Sequence, residues 1–388
     1  MHISRVGITH TPAMTASNTS TQILVYPIKS LRPYEPSSAE VTRHGFAYDR
    51  RFMLLKVKSD GSLENMHVAH FPELVLFFAD IEFPKHDQDA ADQAVINLTW
   101  RPPQGESKST SIPLTPDTTS LEVIHVNMHS SPTRAYKMHD QYNSWISSCL
   151  GYDAILAYLG DNSRAVLMTT HQTQPQQDQR GWLSSITNKL PTSLNTLISG
   201  DNKDKITFAD CAPFLIVNEA SIHDISRRLP EGQNADISKF RPNIVISDKN
   251  TTAWEEDYWA ELSASSSNNN KTPIKLHLVQ NCVRCISINI DYATGKPGLD
   301  ETGKILKKLQ SDRRVDKGHK YSPVFGRYAF LGQGDEGKRL SVGDEIEVSG
   351  RNEERTVFGK SFFFLFFFFF LFFLFFLFPS LSLSHARC

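Results

Sequence analysis

The feature that most constrains this chain is the spacing of its turns. Ile23-Leu24-Val25-Tyr26 reads as a strand and stops at Pro27, which cannot donate to a ladder. Ala39-Glu40-Val41-Thr42 stops at His44-Gly45, and Phe52 to Val57 stops at Asp60-Gly61. His67 to Phe71 and Leu74 to Phe78 continue the series as further strands, followed by Ala94 to Trp100 and Leu121 to Val126. The runs are short and closed often by turns. They predict a small barrel or sandwich in about the first 130 residues.

Helical spacing appears at Tyr142, Trp145, Ile146, Cys149 and Leu150, with Gly151 placed to end the helix. A strand follows at Ala154 to Leu159. Residues 170–205 are rich in Gln, Asn, Ser, Thr and Asp and are expected to be a flexible insertion. Apolar order returns with Phe214-Leu215-Ile216-Val217. Asn218 is the expected N-cap of a helix whose stripe is Ala220, Ile222, Ile225 and Leu229. Strands are then expected at Ile244 to Ile246, Ile274 to Val279, Ile286 to Ile290, Tyr321 to Phe330 and Leu340 to Val348, the last broken by a turn at Val342-Gly343-Asp344.

The fold class expected is therefore α+β and mostly β. A disordered lead-in (1–20) precedes an N-terminal barrel-like unit over 21–160. The polar insertion occupies 161–205, and a second β-barrel unit occupies 206–350. Charge argues against nucleic acid, because a chain of 388 residues with net charge −1 has no basic bias. Five cysteines, odd in number and irregularly spaced, are no disulfide framework. They imply a reducing compartment, for which the cytoplasm is the first expectation and the mitochondrion the alternative.

Every residue from Ser361 to Ser384 is Phe, Leu, Ser or Pro. These residues share codons made wholly of pyrimidines, so residues 361–388 read as an aberrant tail, such as a translated intron. The rival is a C-terminal membrane anchor, since Phe362 to Phe378 approaches the length of a spanning helix. Membrane contact is expected only in that second case.

The most chemically loaded stretch is Asn281-Cys282-Val283-Arg284-Cys285. Lying between two strand-like runs, it puts Cys285 at the entry to a strand with Arg284 beside it. A thiol next to a guanidinium suits an anion or a soft metal. A Cys beside a strand is, however, more often a small buried packing residue than a ligand. The C-x-x-C spacing has neither the helix start that a redox pair uses nor the second pair that a zinc site uses. Lys29-Ser30, Arg50, and Arg241 with Asn243 also place cationic or amide donors beside strand ends. Spacing alone leaves these as ordinary exposed charges or as parts of one site.

Several motifs occur in a fixed order: Tyr-Pro-Ile-Lys-Ser at 26–30, Asp-Arg-Arg-Phe-Met-Leu at 49–54 and Pro-Phe-Leu-Ile at 213–216. Asn-Glu-Ala-Ser at 218–221, Phe-Arg-Pro-Asn-Ile-Val at 240–245, Cys-Val-Arg-Cys at 282–285 and Asp-Tyr-Ala-Thr-Gly at 291–295 complete the set. Together they resemble the MOSC family, in the arrangement with an N-terminal MOSC β-barrel domain, over roughly residues 21–350. Amidoxime-reducing components share that arrangement, as more distantly does the C-terminal part of molybdenum cofactor sulfurases.

The resemblance implies a molybdenum-dependent oxidoreductase carrying a molybdenum–molybdopterin cofactor. Cys285 would be the metal ligand and, with Asp210, catalytic. Lys29, Ser30, Arg50, Arg241, Asn243 and Arg284 would hold the pterin and its phosphate. It implies small N-hydroxylated substrates, with electrons from a haem cytochrome and its flavin reductase. A carrier or sulfur-handling protein that binds the cofactor without turnover is the alternative. Cys211, Ala212 and Val283 depart from the pattern, standing where hydroxyl or small polar residues are expected.

Overall fold

The computed structural model describes residues 18–84, 93–166, 205–247, 251–265 and 272–358. The Phe-rich tail and most of the expected insertion lie outside these described residues. The first described strand, Asn18–Ile23, begins inside the stretch expected to lead in without order. It ends before Tyr26, which instead follows an isolated bridge between Val25 and Tyr34.

Seven strands close into a barrel. In spatial order they are Asn18–Ile23, Ile244–Ser247, Phe214–Asn218, Val324–Leu331, Ile274–Val283, Trp259–Ser265 and Glu345–Arg351, which returns to the first. Pairing is antiparallel throughout except between Phe214–Asn218 and Ile244–Ser247, which run parallel. The parallel pair is joined through the helix Glu219–Arg227, the crossover that parallel strands need. Asn218 starts that helix as expected, its side chain accepting from the Ala220 N–H at 3.0 Å. Alternate residues fill the barrel: Ile23, Phe214, Ile216, Ile244, Ile246, Leu276, Leu278 and Ile346 are buried together around Trp259. Closure leaves no unpaired edge.

The N-terminal half forms a five-stranded sheet in the order Leu63–Asn65, Phe52–Val57, Ala154–Tyr158, Ser131–Lys137 and Glu122–Met128, and a three-stranded one of Phe77–Glu82, Val95–Trp100 and Lys108–Pro113. Phe52, Leu54 and Leu156 from the first meet Phe77, Ile96, Leu98 and Ile112 from the second in one core. The helix Asp140–Leu150 adds Ile146 and Cys149 to it. Gly151 ends the helix with φ 80°, its N–H bonded to the Ser147 carbonyl, a conformation that glycine reaches without a Cβ penalty. The molecule is thus mostly β, as its turn spacing requires.

Three expected strands depart from expectation. His67 to Phe71 is a turn, with the His70 and Phe71 N–H groups both donating to the His67 carbonyl. Pro72–Leu76 is a 3₁₀ turn, with a proline in its first turn where the missing N–H costs nothing. Ile286–Asn289 is another, closed by the Ile290 N–H on the Ser287 carbonyl. Its Ile/Ser/Ile/Asn alternation mimics a strand, but Ile286 is half exposed and has no sheet to join. Cys285 therefore sits at the exit of the long strand Ile274–Val283, not at the entry to a new one.

The ends of the expected insertion are pinned by a two-residue ribbon, Arg164–Ala165 against Lys205–Ile206. The buried Arg164 guanidinium donates to the carbonyls of Met128, Thr207 and Ala209. That anchors the segment carrying Asp210.

Candidate functional site

A cleft of about 120 Å³ opens where Ile274–Val283 leaves the barrel. Six of the eight expected site residues line it: Arg50, Asp210, Arg241, Asn243, Arg284 and Cys285. Turns separated by as many as 235 positions in sequence therefore meet at one place. Lys29 and Ser30 do not line it. Lys29 is buried behind it with Nζ 2.5 Å from Asp210 Oδ1, and Ser30 donates to the Met66 carbonyl at 3.2 Å.

Backbone strain collects at the same turns. Ser30, Arg50 and Arg241 have φ of 72°, 52° and 54°, in the left-handed region that residues with a Cβ rarely occupy. Each such residue costs on the order of 1 kcal/mol and persists only where its surroundings over-determine it. Arg50 is held by Asp49, by Asn243 Oδ1 at 3.2 Å and by the Arg241 carbonyl at 3.3 Å. Both Arg50 and Arg241 stack on the buried Tyr26 ring, at 4.7 and 4.3 Å from its centre. Arg241 Nη1 donates to the Leu31 carbonyl at 2.8 Å and the buried Tyr292 hydroxyl lies beside the guanidinium, whereas Nη2 has no hydrogen-bond partner of good geometry. An unpartnered buried guanidinium nitrogen is costly, and an anionic ligand would relieve that cost.

The remaining expected residues divide by role. Asn243 has all of its hydrogen-bonding capacity in use: it accepts from Arg50 and the Leu215 N–H and donates to the Leu24 carbonyl and Asp49. It builds the wall of the cleft. Arg284 is likewise pinned, with three donors on the carbonyls of Phe240 and Phe325. No carboxylate pairs with it among the described residues, so its positive charge stays in the cleft wall. Cys285 is exposed, its Sγ 3.2 Å from Ser287 Oγ.

Asp210 is half exposed, at 54% of its side chain. Its crowded surroundings act to raise its pKa, but Lys29, with His129 at 3.4 Å, overcomes them and holds the carboxyl well below the usual range. Burial pushes Lys29 down, against the pull of Asp210.

Sequence reading did not place Lys239, Cys282, Ser287 and Tyr328 in the site, nor the apolar Ala209, Leu215 and Phe240, although all of them line the cleft. Lys239 adds a third cation on the Phe240–Arg241 side, and its place two residues before Arg241 was the available signal. Tyr328 carries none, because strand register alone turns it inward. Burial raises the Cys282 thiol and pushes Cys211 up to about 12, with the Asp210 charge adding to the latter. Both stay protonated thiols at neutral pH, the form that does not bind metal. Among the described residues no group of three or more His, Cys, Asp or Glu could hold a metal ion by itself.

Residues 203–347 match the model of the MOSC domain, and residues 17–153 match that of the MOSC N-terminal beta barrel domain. The chain is a MOSC-domain protein. Mitochondrial amidoxime-reducing component 1 of Mus musculus is 26% identical over 340 residues, covering 86% of this chain and 83% of the relative. The Homo sapiens protein of the same name is 36% identical over 150 residues, 38% of this chain and 40% of that one. Molybdenum cofactor sulfurase of Homo sapiens is 24% identical over 308 residues, 76% of this chain and 28% of its own length. The two MOSC matches leave the ribbon at Arg164–Ala165 between them, and the cleft draws residues from both.

Proposed function

We propose that this MOSC protein binds a molybdenum–molybdopterin cofactor in the cleft and reduces small N-hydroxylated compounds. The observation that carries the reading is the buried, unpartnered Arg241 Nη2 in a wall that also presents Arg50, Lys239 and Arg284 around the exposed Cys285 thiol. A phosphate matches forked guanidinium donors, and a soft metal matches a single accessible thiolate. The names of the relatives agree, since one group reduces amidoximes and another handles molybdenum cofactor. The cleft is smaller than the ~300–1,000 Å³ of most ligand pockets, so a group of this size would extend beyond it.

In this reading Cys285 is the metal ligand, and Arg241, Arg50 and Lys239 hold the phosphate. Asn243 positions Arg50, and Arg284 contributes fixed positive charge. Lys29 and Ser30 support the turn from behind. Bound, the cofactor would supply a centre that accepts an oxygen atom from the substrate and receives electrons. The chain's own groups manage protons. Reduction of an N–OH group to N–H consumes two protons and two electrons and releases water. Asp210, which Lys29 holds ionised from behind, is an acceptor for the substrate hydroxyl at the cleft. Electrons come from a haem cytochrome and its flavin reductase. The domain division expected from sequence, 21–160 and 206–350, is kept as part of this proposal. The names of the relatives favour the mitochondrion over the cytoplasm. Among the described residues no helix is long and apolar enough to cross a membrane.

The substituted positions Cys211, Ala212 and Val283 favour one second reading, a carrier that holds the cofactor without turnover. Metal and pterin analysis of purified protein tests both. Cys285→Ala is expected to lose molybdenum, while Cys282→Ala largely keeps it. Equal loss in the two variants would mean that the ligand is wrongly assigned. Bound molybdenum without turnover of any N-hydroxylated compound, given a reductant, would leave the carrier.

A further inference from the structure

We propose that residues 284–323 form the docking face for an acidic electron-carrying protein, an inference that rests on the oxidoreductase reading above. Half of the exposed large apolar residues among those described lie here: Ile286, Leu299 and Tyr321, at 50%, 98% and 83% exposure. Ile286 directly follows Cys285. Hydrogen bonds gather the others around it. The Arg284 N–H donates to the Pro323 carbonyl at 2.8 Å, which brings Tyr321 alongside. The Gly298 N–H donates to the Asn289 carbonyl at 2.9 Å, which does the same for Leu299. Asn289 Oδ1 accepts from the Leu306 N–H at 2.9 Å, tying in the helix Ile305–Gln310.

The same residues carry an excess of basic side chains. They hold nine Lys and Arg against five Asp and Glu, in a protein of net charge −1. Arg313 is spent on buried Asp257, and Lys304 and Lys308 share Glu301. Lys296, Lys307, Arg314, Lys317 and Lys320 are exposed and have no ion-pair partner among the described residues. Beside them an open groove of about 750 Å³ runs along Lys304, Lys307, Lys308 and Arg228, with Glu301 and Asp312 also in its wall and paired to all of these cations but Lys307. Exposed apolar anchors beside unpaired cations, in a segment where nine basic residues outnumber five acidic ones, have the composition of a transient protein interface. The complement is a protein with an acidic face. A concave surface spread over several loops fits such a partner better than it fits a flat bilayer. Its place beside Cys285 is where electrons must arrive.

The test uses the full chain loaded with cofactor and a soluble haem cytochrome that has an acidic face. Lys307→Glu, Lys317→Glu and Lys320→Glu are combined in one variant. At about 0.01 M salt, where the Debye length is about 30 Å, its KM and titrated Kd for the cytochrome are expected to rise at least tenfold. That difference should shrink toward about 1 M salt, where the Debye length is about 3 Å. Molybdenum content and turnover of an aryl amidoxime with reduced methyl viologen should stay at the wild-type level. Leu299→Ala with Tyr321→Ala should weaken the cytochrome complex without changing its salt dependence. An unchanged cytochrome Kd in a molybdenum-loaded triple variant overturns the docking face alone. So does loss of binding to vesicles containing phosphatidylserine with an unchanged cytochrome Kd, which would make this a membrane face. Absence of molybdenum from the wild-type protein overturns the docking face together with the oxidoreductase reading.

Discussion

Replacing Asn243 with alanine separates two accounts of the cleft. Sequence motifs class Asn243 with the cofactor-holding residues, but its carboxamide is fully occupied by protein. Asn243→Ala would strip a partner from Arg50, from the Leu215 N–H, from the Leu24 carbonyl and from Asp49, all of them buried. A neutral hydrogen bond contributes about 1 kcal/mol and one to a charged group about 1.5–3 kcal/mol. Two of each, discounted because neighbouring losses do not add, give a cost of about 3–5 kcal/mol. The assay is guanidinium unfolding of cofactor-free protein, read as a fall in midpoint at constant slope. Thermal unfolding should drop by roughly 6–15 °C, taking about 2–3 °C per kcal/mol for a chain of this size. A loss under about 1 kcal/mol in the cofactor-free protein, accompanied by loss of molybdenum from the loaded one, would refute the reasoning. It would mean that Asn243 touches the cofactor.

The buried Glu256 supplies a pH prediction. Burial, with Asp257 next to it, raises its carboxyl to about 7, and its Oε1 has no partner. A raised folded-state pKa means full stability below the unfolded value of 4.5 and progressive loss as pH rises through about 7. Glu256→Gln should therefore gain on the wild type between those limits, by roughly 3 kcal/mol above pH 8. Parallel stability curves for the two proteins from pH 5 to 8 would refute the assignment. The C-terminal segment gives a further test. Thr356 accepts from Asn281 and Arg327, and the Phe358 N–H donates to Asp316. A chain ending at Phe358 should keep a cooperative melt, whereas one ending at Glu354 should lose several kcal/mol, because buried Asn281 and Arg327 are left short of partners. Equal melting of the two would show that the segment contributes nothing. Gly318→Ala should resemble the shorter chain, since its Cβ would meet the Phe358 carbonyl oxygen.

The sequence by itself determined what short-range physics controls. Turn residues between short alternating runs specified a mostly β molecule. Asn218 and Gly151 marked helix ends through side-chain capping and a left-handed φ, both local effects. The errors were local as well. Ile286–Asn289 has the alternation of a strand, yet a ladder needs a neighbour, and which segments become neighbours is a tertiary matter. Residue types and motif order named six of the residues that line the cleft.

Tertiary structure alone decided the rest. It took the first described strand into the C-terminal barrel and carried turns near residues 50, 210, 241 and 284 to a common point, because closing a barrel fixes where every strand end lies. It also divided those residues by what they have left to offer. Asn243 and Arg284 are satisfied by protein, Lys29 and Ser30 stand behind the wall, and Arg241 keeps a buried donor unpaired. No sequence spacing encodes that difference, since it depends on which carbonyls and carboxylates happen to arrive within 3 Å or so of each guanidinium once the barrel has closed.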